Sequence, residues 1–149
     1  MGTRTPLREE SLRGFQFSPW ILVHAQFINH HLQIEEELED LICSQLRDPK
    51  KYDLERLRFP QKVALARALA GPQTDDHLWE ILLKFNETRN AIAHRTRTPP
   101  EDKFNELSKL VTNAVPSLPV ADDTEVMISA LKICIWFIQD IKQSLPPPP

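Results

Sequence analysis

The sequence predicts an all-α protein, a single up-and-down helical bundle of about five helices, and three observations predict it. Apolar residues recur at helical spacing in five separate stretches. Only three glycines occur in 149 residues, which disfavours a turn-rich β fold. Pro and Gly-Pro steps fall where those stretches end. The length suits one core, and a hydrophobic fraction of 41% beside 26% charged residues is that of an ordinary globular domain.

Residues 1–17 are polar and interrupted by Pro6 and Gly14, which reads as a loosely ordered arm. The helical domain is expected over 18–145. Ser18 followed by Pro19 supplies an N-cap and a first-turn proline. Trp20, Val23, Phe27, Ile34, Leu38, Leu41 and Ile42 then recur along one long helix to about Leu46. Asp48-Pro49 marks a turn, and Phe59-Pro60 opens a short helix carrying Val63, Ala66, Leu69 and Ala70 toward Gly71. After Gly71-Pro72, Thr74 or Asp75 caps a central helix that runs to about Arg95. Pro99-Pro100 stops it, and Phe104, Leu107, Leu110 and Val111 define the next helix. Beyond Pro116 and Pro119, Asp122 or Asp123 caps the last. Its apolar residues Val126, Ile128, Leu131, Ile133, Ile135, Trp136 and Ile138 are dense enough to predict burial on more than one side. The proline tail at 146–149 cannot extend it.

A net charge of −3 argues against a broad basic surface of the kind that coats duplex nucleic acid. Charge is nevertheless uneven: Arg89, His94, Arg95 and Arg97 lie close in sequence, while acids gather at 35–40. Arg95 and Arg97 suit either of two roles, cations facing a helix C-terminus or contacts to phosphate. Cys43 and Cys134 sit in apolar helical patterns and read as buried free thiols of a reducing compartment. No stretch reaches about 18 uninterrupted apolar residues and the N-terminus lacks an apolar signal core, so a cytoplasmic protein without a membrane partner is expected. His24, His30 and His31 lie along the first helix, but no carboxylate or cysteine completes a ligand spacing, so they read as partly buried or hydrogen-bonded histidines and no metal is expected. A glycine-rich phosphate loop, a nucleophile elbow and zinc-type cysteine spacing are all missing, so no cofactor is expected.

The informative stretch is residues 84–100, KFNETRNAIAHRTRTPP. On a helical wheel Leu78, Ile81, Leu82, Phe85 and Ile92 form an apolar stripe, and Arg89 falls within about 20° of Leu82, near its centre. A guanidinium there must meet an acid, a subunit surface or a ligand anion, because an unpaired buried charge costs several kcal/mol. Asn86, Asn90 and His94 form a polar row at a spacing of four, bordering Trp79 and Leu83. Those two large residues lie off the main stripe, so another helix or another chain should cover this flank. Trp79, Leu83 and Asn86 are accordingly the candidate dimer interface. Arg89 and His94 are about 140° apart, so a site using both requires the reach of the arginine or a second copy of the helix.

Arg89-Asn90, three residues, then His94 resembles the signature of HEPN domains. The segment FPQKVALARALAG at 59–71, followed by LWEILLKFNETRNAIAH, is also similar to the mannitol operon repressor group, a HEPN-related family of regulators; the resemblance covers roughly 20–145. It implies a metal-independent ribonuclease that works as a homodimer on single-stranded RNA. His94 would be acid or base, Arg89 would hold the phosphate, Asn90 would orient one or the other, and Arg95 and Arg97 would bind RNA. It implies, too, a toxin or defence role beside an antitoxin protein. The alternative is a non-catalytic regulator or partner-binding module, in which Arg89 pairs with an acid of the 35–40 run and Asn90 and His94 tie the turn before Pro99. No tyrosine follows His94 closely, so silencing by nucleotide transfer, known in some HEPN toxins, is not expected.

Overall fold

The computed structural model describes residues 19–94 and 99–148; the arm expected at 1–17, the Ser18 cap, Arg95 and Arg97 lie outside the described residues. The described chain forms five α-helices: α1 (Pro19–Gln45), α2 (Phe59–Ala70), α3 (Asp76–His94), α4 (Glu101–Ala114) and α5 (Asp123–Ser144). Two 3-10 turns, Pro49–Lys51 and Leu54–Arg56, link the first two, and no strand occurs among the described residues. The all-α expectation holds.

Local chemistry sets the helix ends where the sequence indicated. The Gln61 side chain accepts a hydrogen bond from the Arg58 N–H at 2.8 Å, and Pro60 lies in the first turn of α2. Gly71 ends that helix at φ 82°, a left-handed conformation that side chains other than glycine's adopt at a cost. The Asp75 carboxylate accepts from the His77 N–H at 2.9 Å before α3. Asp122 rather than Asp123 caps α5, accepting from the Glu125 N–H at 2.8 Å while Glu125 accepts from the Ala121 N–H at 2.7 Å.

Helix α3 packs against all four other helices, and α1 makes its most extensive contact with α5. Phe27 of α1 stacks on Phe85 of α3 at 4.4 Å between centroids and meets Phe104 of α4 edge-on at 5.7 Å. Lys84 joins α3 to α4 by donating to both Glu87 and Glu106 at 2.7 Å. Trp79 is 1% exposed, packed edge-on against Phe137 of α5 at 4.9 Å, with its indole N–H donated to Thr74 at 2.8 Å. The cover on that flank is therefore another helix of the same chain, and Trp79 has no surface to offer a second copy. Only Leu83 of the expected interface is open to solvent, because Asn86 is buried as well.

Two further expectations are corrected. Helix α5 buries one broad face, from Val126 to Ile141, and leaves its other side open, with Trp136 58% exposed. Helix α2 runs alongside α1 in the same sense rather than back along it. Phe59 lies on His31, and Lys62, further along α2, reaches Glu35 and Glu39, further along α1. The connecting residues 46–58, anchored by buried Leu54, carry the chain back down α1 first. Cys43 and Cys134 are free thiols, half-buried and buried respectively, and burial raises the pKa of each. No helix among the described residues is long and apolar enough to cross a membrane.

The Lys62 ammonium is almost wholly buried, donating to Glu35 at 2.6 Å and Glu39 at 2.5 Å. Burial opposes its charge, but the two carboxylates outweigh that and raise its pKa. Removing one partner of a buried pair costs about 3–5 kcal/mol, and the partial exposure of both glutamates reduces this. Lys62→Ala should therefore lower the unfolding free energy by about 2 kcal/mol in urea titrations. The raised pKa places this contribution in full below the ordinary lysine range, about 10.4, with loss as pH climbs through the folded-state value. The wild-type and Lys62→Ala stabilities should converge in strongly alkaline solution.

Candidate functional site

A cleft of about 460 Å³ opens between α1, the segment leading into α2, and α3. Ile28, His31, Leu32 and Glu35 line it from α1, Leu57, Arg58, Phe59 and Pro60 from the α2 entry, and Asn86, Arg89 and Asn90 from α3. Helical spacing accounts for the first and third sets: 28, 31, 32 and 35 share one face of α1, and 86, 89 and 90 one face of α3.

His31 is 6% exposed, and its ring lies against Phe59 with centroids 4.4 Å apart. With the Asn86 amide as placed, His31 Nε2–H donates to Asn86 Oδ1 at 3.0 Å, which assigns the Nε2-protonated tautomer. Burial lowers its pKa most; the Asn86 bond opposes this, the charge on Arg89 adds to it, and Glu35 and Lys62 make smaller opposing contributions. The ring is therefore a neutral donor.

Arg89 is half-buried. Its Nη1–H donates to Asn90 Oδ1 at 3.1 Å, while its Nε–H is buried with no hydrogen-bond partner. No carboxylate among the described residues lies within ion-pair distance of it. Of the acids in the 35–40 run expected to neutralise it, Glu35 and Glu39 serve Lys62 instead. Both asparagine carbonyls are thus engaged, by His31 and by Arg89, and the amide Nδ2 groups remain as donors. Glu35, the carboxylate at the cleft, is held by Lys62. The lining consequently offers guanidinium and amide N–H groups together with the apolar side chains of Ile28, Leu32, Leu57 and Phe59. An anion with several acceptor oxygens attached to an apolar or planar body fits this chemistry.

The expected row Asn86, Asn90, His94 divides. The first two line the cleft, whereas His94 is exposed one turn further along α3 and does not. Within one chain the imidazole that accompanies Arg89 is His31, not His94. Sequence reasoning treated His31 as a bonded core histidine, which it is, but missed its place at the site. A signal existed: 27, 31, 34 and 38 share one face of α1, so a histidine lay in line with three core residues. Arg58 gave no such signal, since nothing in its neighbourhood marks a site. Among the described residues no group of three or more His, Cys, Asp or Glu side chains is disposed to hold a metal ion.

Comparison with protein-family models, curated proteins and solved structures finds no match to this chain. The site is accordingly read from its own geometry.

A histidine held below its ordinary pKa stabilises the fold fully above about pH 6.5, the unfolded-state value, and that contribution is lost as pH falls through the folded-state value. Unfolding free energy should decline across that window in wild-type protein, and His31→Gln should flatten the decline. Urea titrations at pH steps from about 7.5 to 5 measure both.

Proposed function

We propose that this chain is a HEPN-type, metal-independent endoribonuclease that acts on single-stranded RNA as a homodimer in the cytoplasm. The observation that carries the reading is Arg89, half-buried at a donor-lined cleft and without a carboxylate partner among the described residues. A phosphodiester supplies the missing acceptors, and the apolar lining residues suit an adjoining base.

A second copy has a plausible seat in chemical terms. Ile21, Ala25, Ile28 and Leu32 fall within about 60° on the α1 wheel, and Ile21 is 46% and Leu32 52% exposed. Ile28 and Leu32 also line the cleft, so this stripe is continuous with it. Pairing along it replaces the Trp79 and Asn86 surface that the core has consumed, and it sets two clefts and two exposed His94 side chains near one axis. One His94 then takes the proton of the ribose 2′-hydroxyl as its oxygen bonds to phosphorus. The other protonates the departing 5′-oxygen as the P–O bond breaks, and Arg89 balances the phosphorane charge. The products are a 2′,3′-cyclic phosphate and a 5′-hydroxyl. An antitoxin protein is the expected partner in such a role.

The exposure of His94 outside the cleft favours one second reading, a regulator that binds an anion there without cutting RNA.

Incubating the protein with single-stranded RNA in EDTA separates the two. Cleavage leaving cyclic phosphate ends is expected, with Arg89→Ala and His94→Ala each slower by about 100-fold or more. Binding without cleavage by wild-type protein selects the regulator, and cleavage that survives both substitutions rejects the mechanism. Leu32→Glu should convert the dimer to monomer in sedimentation experiments, since it places a charge on the apolar stripe where it meets the cleft. An unchanged mass would rule that interface out.

A further inference from the structure

His31 is the one buried titratable group at the cleft that the reaction just described leaves without a task. We propose that His31 is a positioning residue: by donating its Nε2–H to Asn86 Oδ1, it fixes that amide so that Nδ2 serves, beside Arg89, as a donor to the bound anion. This rests on the anion reading of the cleft.

The geometry supports it from three sides. The ring cannot turn freely, because it is 6% exposed and lies against Phe59 at 4.4 Å. Asn86 is itself buried, so its amide orientation is decided by protein groups rather than by water, and the 3.0 Å bond to His31 is the side-chain partner its oxygen has. Asn86 also lines the cleft with Arg89 and Asn90. The arrangement on Asn90 is parallel: Arg89 occupies its oxygen and leaves its Nδ2 as a donor. Fixing an amide this way matters because an asparagine free to flip presents its oxygen as readily as its nitrogen, and an oxygen facing an anion repels it. The charges facing His31 are Glu35 on its own helix, Lys62 on α2, and Arg89 on α3, with Arg58 across the cleft. Burial first, and then the charge on Arg89, keep the imidazole neutral against the pull of the Asn86 bond and of Glu35, and so keep Nδ1 from competing as a second donor.

The test uses the full chain and a fluorescent 2′-O-methyl RNA oligonucleotide, which lacks the attacking hydroxyl and reports binding alone. His31→Phe keeps a ring against Phe59 and removes the donor; affinity should fall about fivefold. His31→Gln restores an N–H, and should bring affinity back to within about twofold of wild type. Asn86→Asp keeps the acceptor for His31 but turns an anionic oxygen toward the ligand, and should weaken binding more than tenfold, on the order of a charge-assisted bond lost and a repulsion gained. If His31→Phe does not fold, the tautomer of His31 in the wild-type protein decides the matter. Nitrogen-resolved imidazole spectra of the unligated protein should show His31 protonated on Nε2 alone and remaining neutral as the pH falls below the ordinary histidine value of about 6.5. An Nδ1–H tautomer, or His31→Phe binding as tightly as wild type, overturns the positioning role and leaves the anion reading intact. Wild-type protein that binds no oligonucleotide overturns the anion reading itself, and this role with it.

Discussion

Two cations face one short run of acids, and the outcome of that competition shapes the molecule. Lys62 and Arg89 approach the same stretch of α1 from different helices. Lys62 takes Glu35 and Glu39, at 2.6 and 2.5 Å. A compact ammonium on a flexible stem can be enclosed between two carboxylates spaced one helical turn apart, whereas a planar guanidinium needs its acceptors in its own plane. With the acids committed to holding α2 beside α1, Arg89 is left with the Asn90 carbonyl. A structural ion pair thereby creates the chemical opportunity next to it. Had Glu35 turned to Arg89, the guanidinium would be paired internally and Lys62 would hold α2 to α1 through Glu39 alone.

Helix α3 makes this arrangement stiff. It touches every other helix, and its buried residues, Trp79, Ile81, Leu82, Phe85, Thr88 and Ile92 among them, leave little freedom for the row that carries Asn86, Arg89 and Asn90. Donors built on a well-packed helix need not be reorganised when a ligand arrives, which is the condition under which hydrogen bonds contribute most to binding and catalysis. The hydroxyl of Thr88, a polar atom in the core of the same helix, is returned to the Lys84 carbonyl at 2.8 Å rather than spent on the cleft.

The parts of this architecture that were legible in the sequence are those governed by local rules. Gly71, Asp122 and the Pro60 turn act through backbone groups within a few residues, and their roles follow from residue type. That Asn86 and Asn90 share a face followed from helical spacing, and Arg89 stood out as an arginine in an apolar stripe, but the site expected from them took in His94 and assigned Asn86 to a second chain. What was not legible depended on which distant element arrives. Trp79 looked available to a second chain because nothing in α3 says that Phe137 of α5 will cover it. His31 looked like a core residue because nothing in α1 says that its partner will be Asn86. The direction of α2 is likewise decided by how far residues 46–58 travel before the helix begins, and no periodicity encodes that. His94 stands between the two cases: its helix and face were legible, but the cleft closes one turn short of it.

The acidic total charge and an RNA ligand are compatible once charge is placed. Of the acids on α1 nearest the cleft, Glu35 and Glu39 share the one charge of Lys62, which offsets half of theirs, and Glu37 faces α5, accepting from Gln139 at 3.3 Å. What the cleft presents locally is therefore Arg58, Arg89 and two amide groups beside a Glu35 carboxylate held by Lys62, whatever the sum over the chain. Coulomb attraction between exposed charges falls off within a Debye length, about 8 Å at physiological ionic strength, so the distant acids of α4 and α5 count little against a phosphate seated there. On the proposed homodimer the same reasoning strengthens the field, because pairing along the α1 stripe brings two such clefts together while the acidic surfaces stay apart. Under the proposed function a short single-stranded segment suits such a cleft better than a long duplex: the positive region is confined to one groove, and binding to a duplex draws its affinity from many phosphates at once.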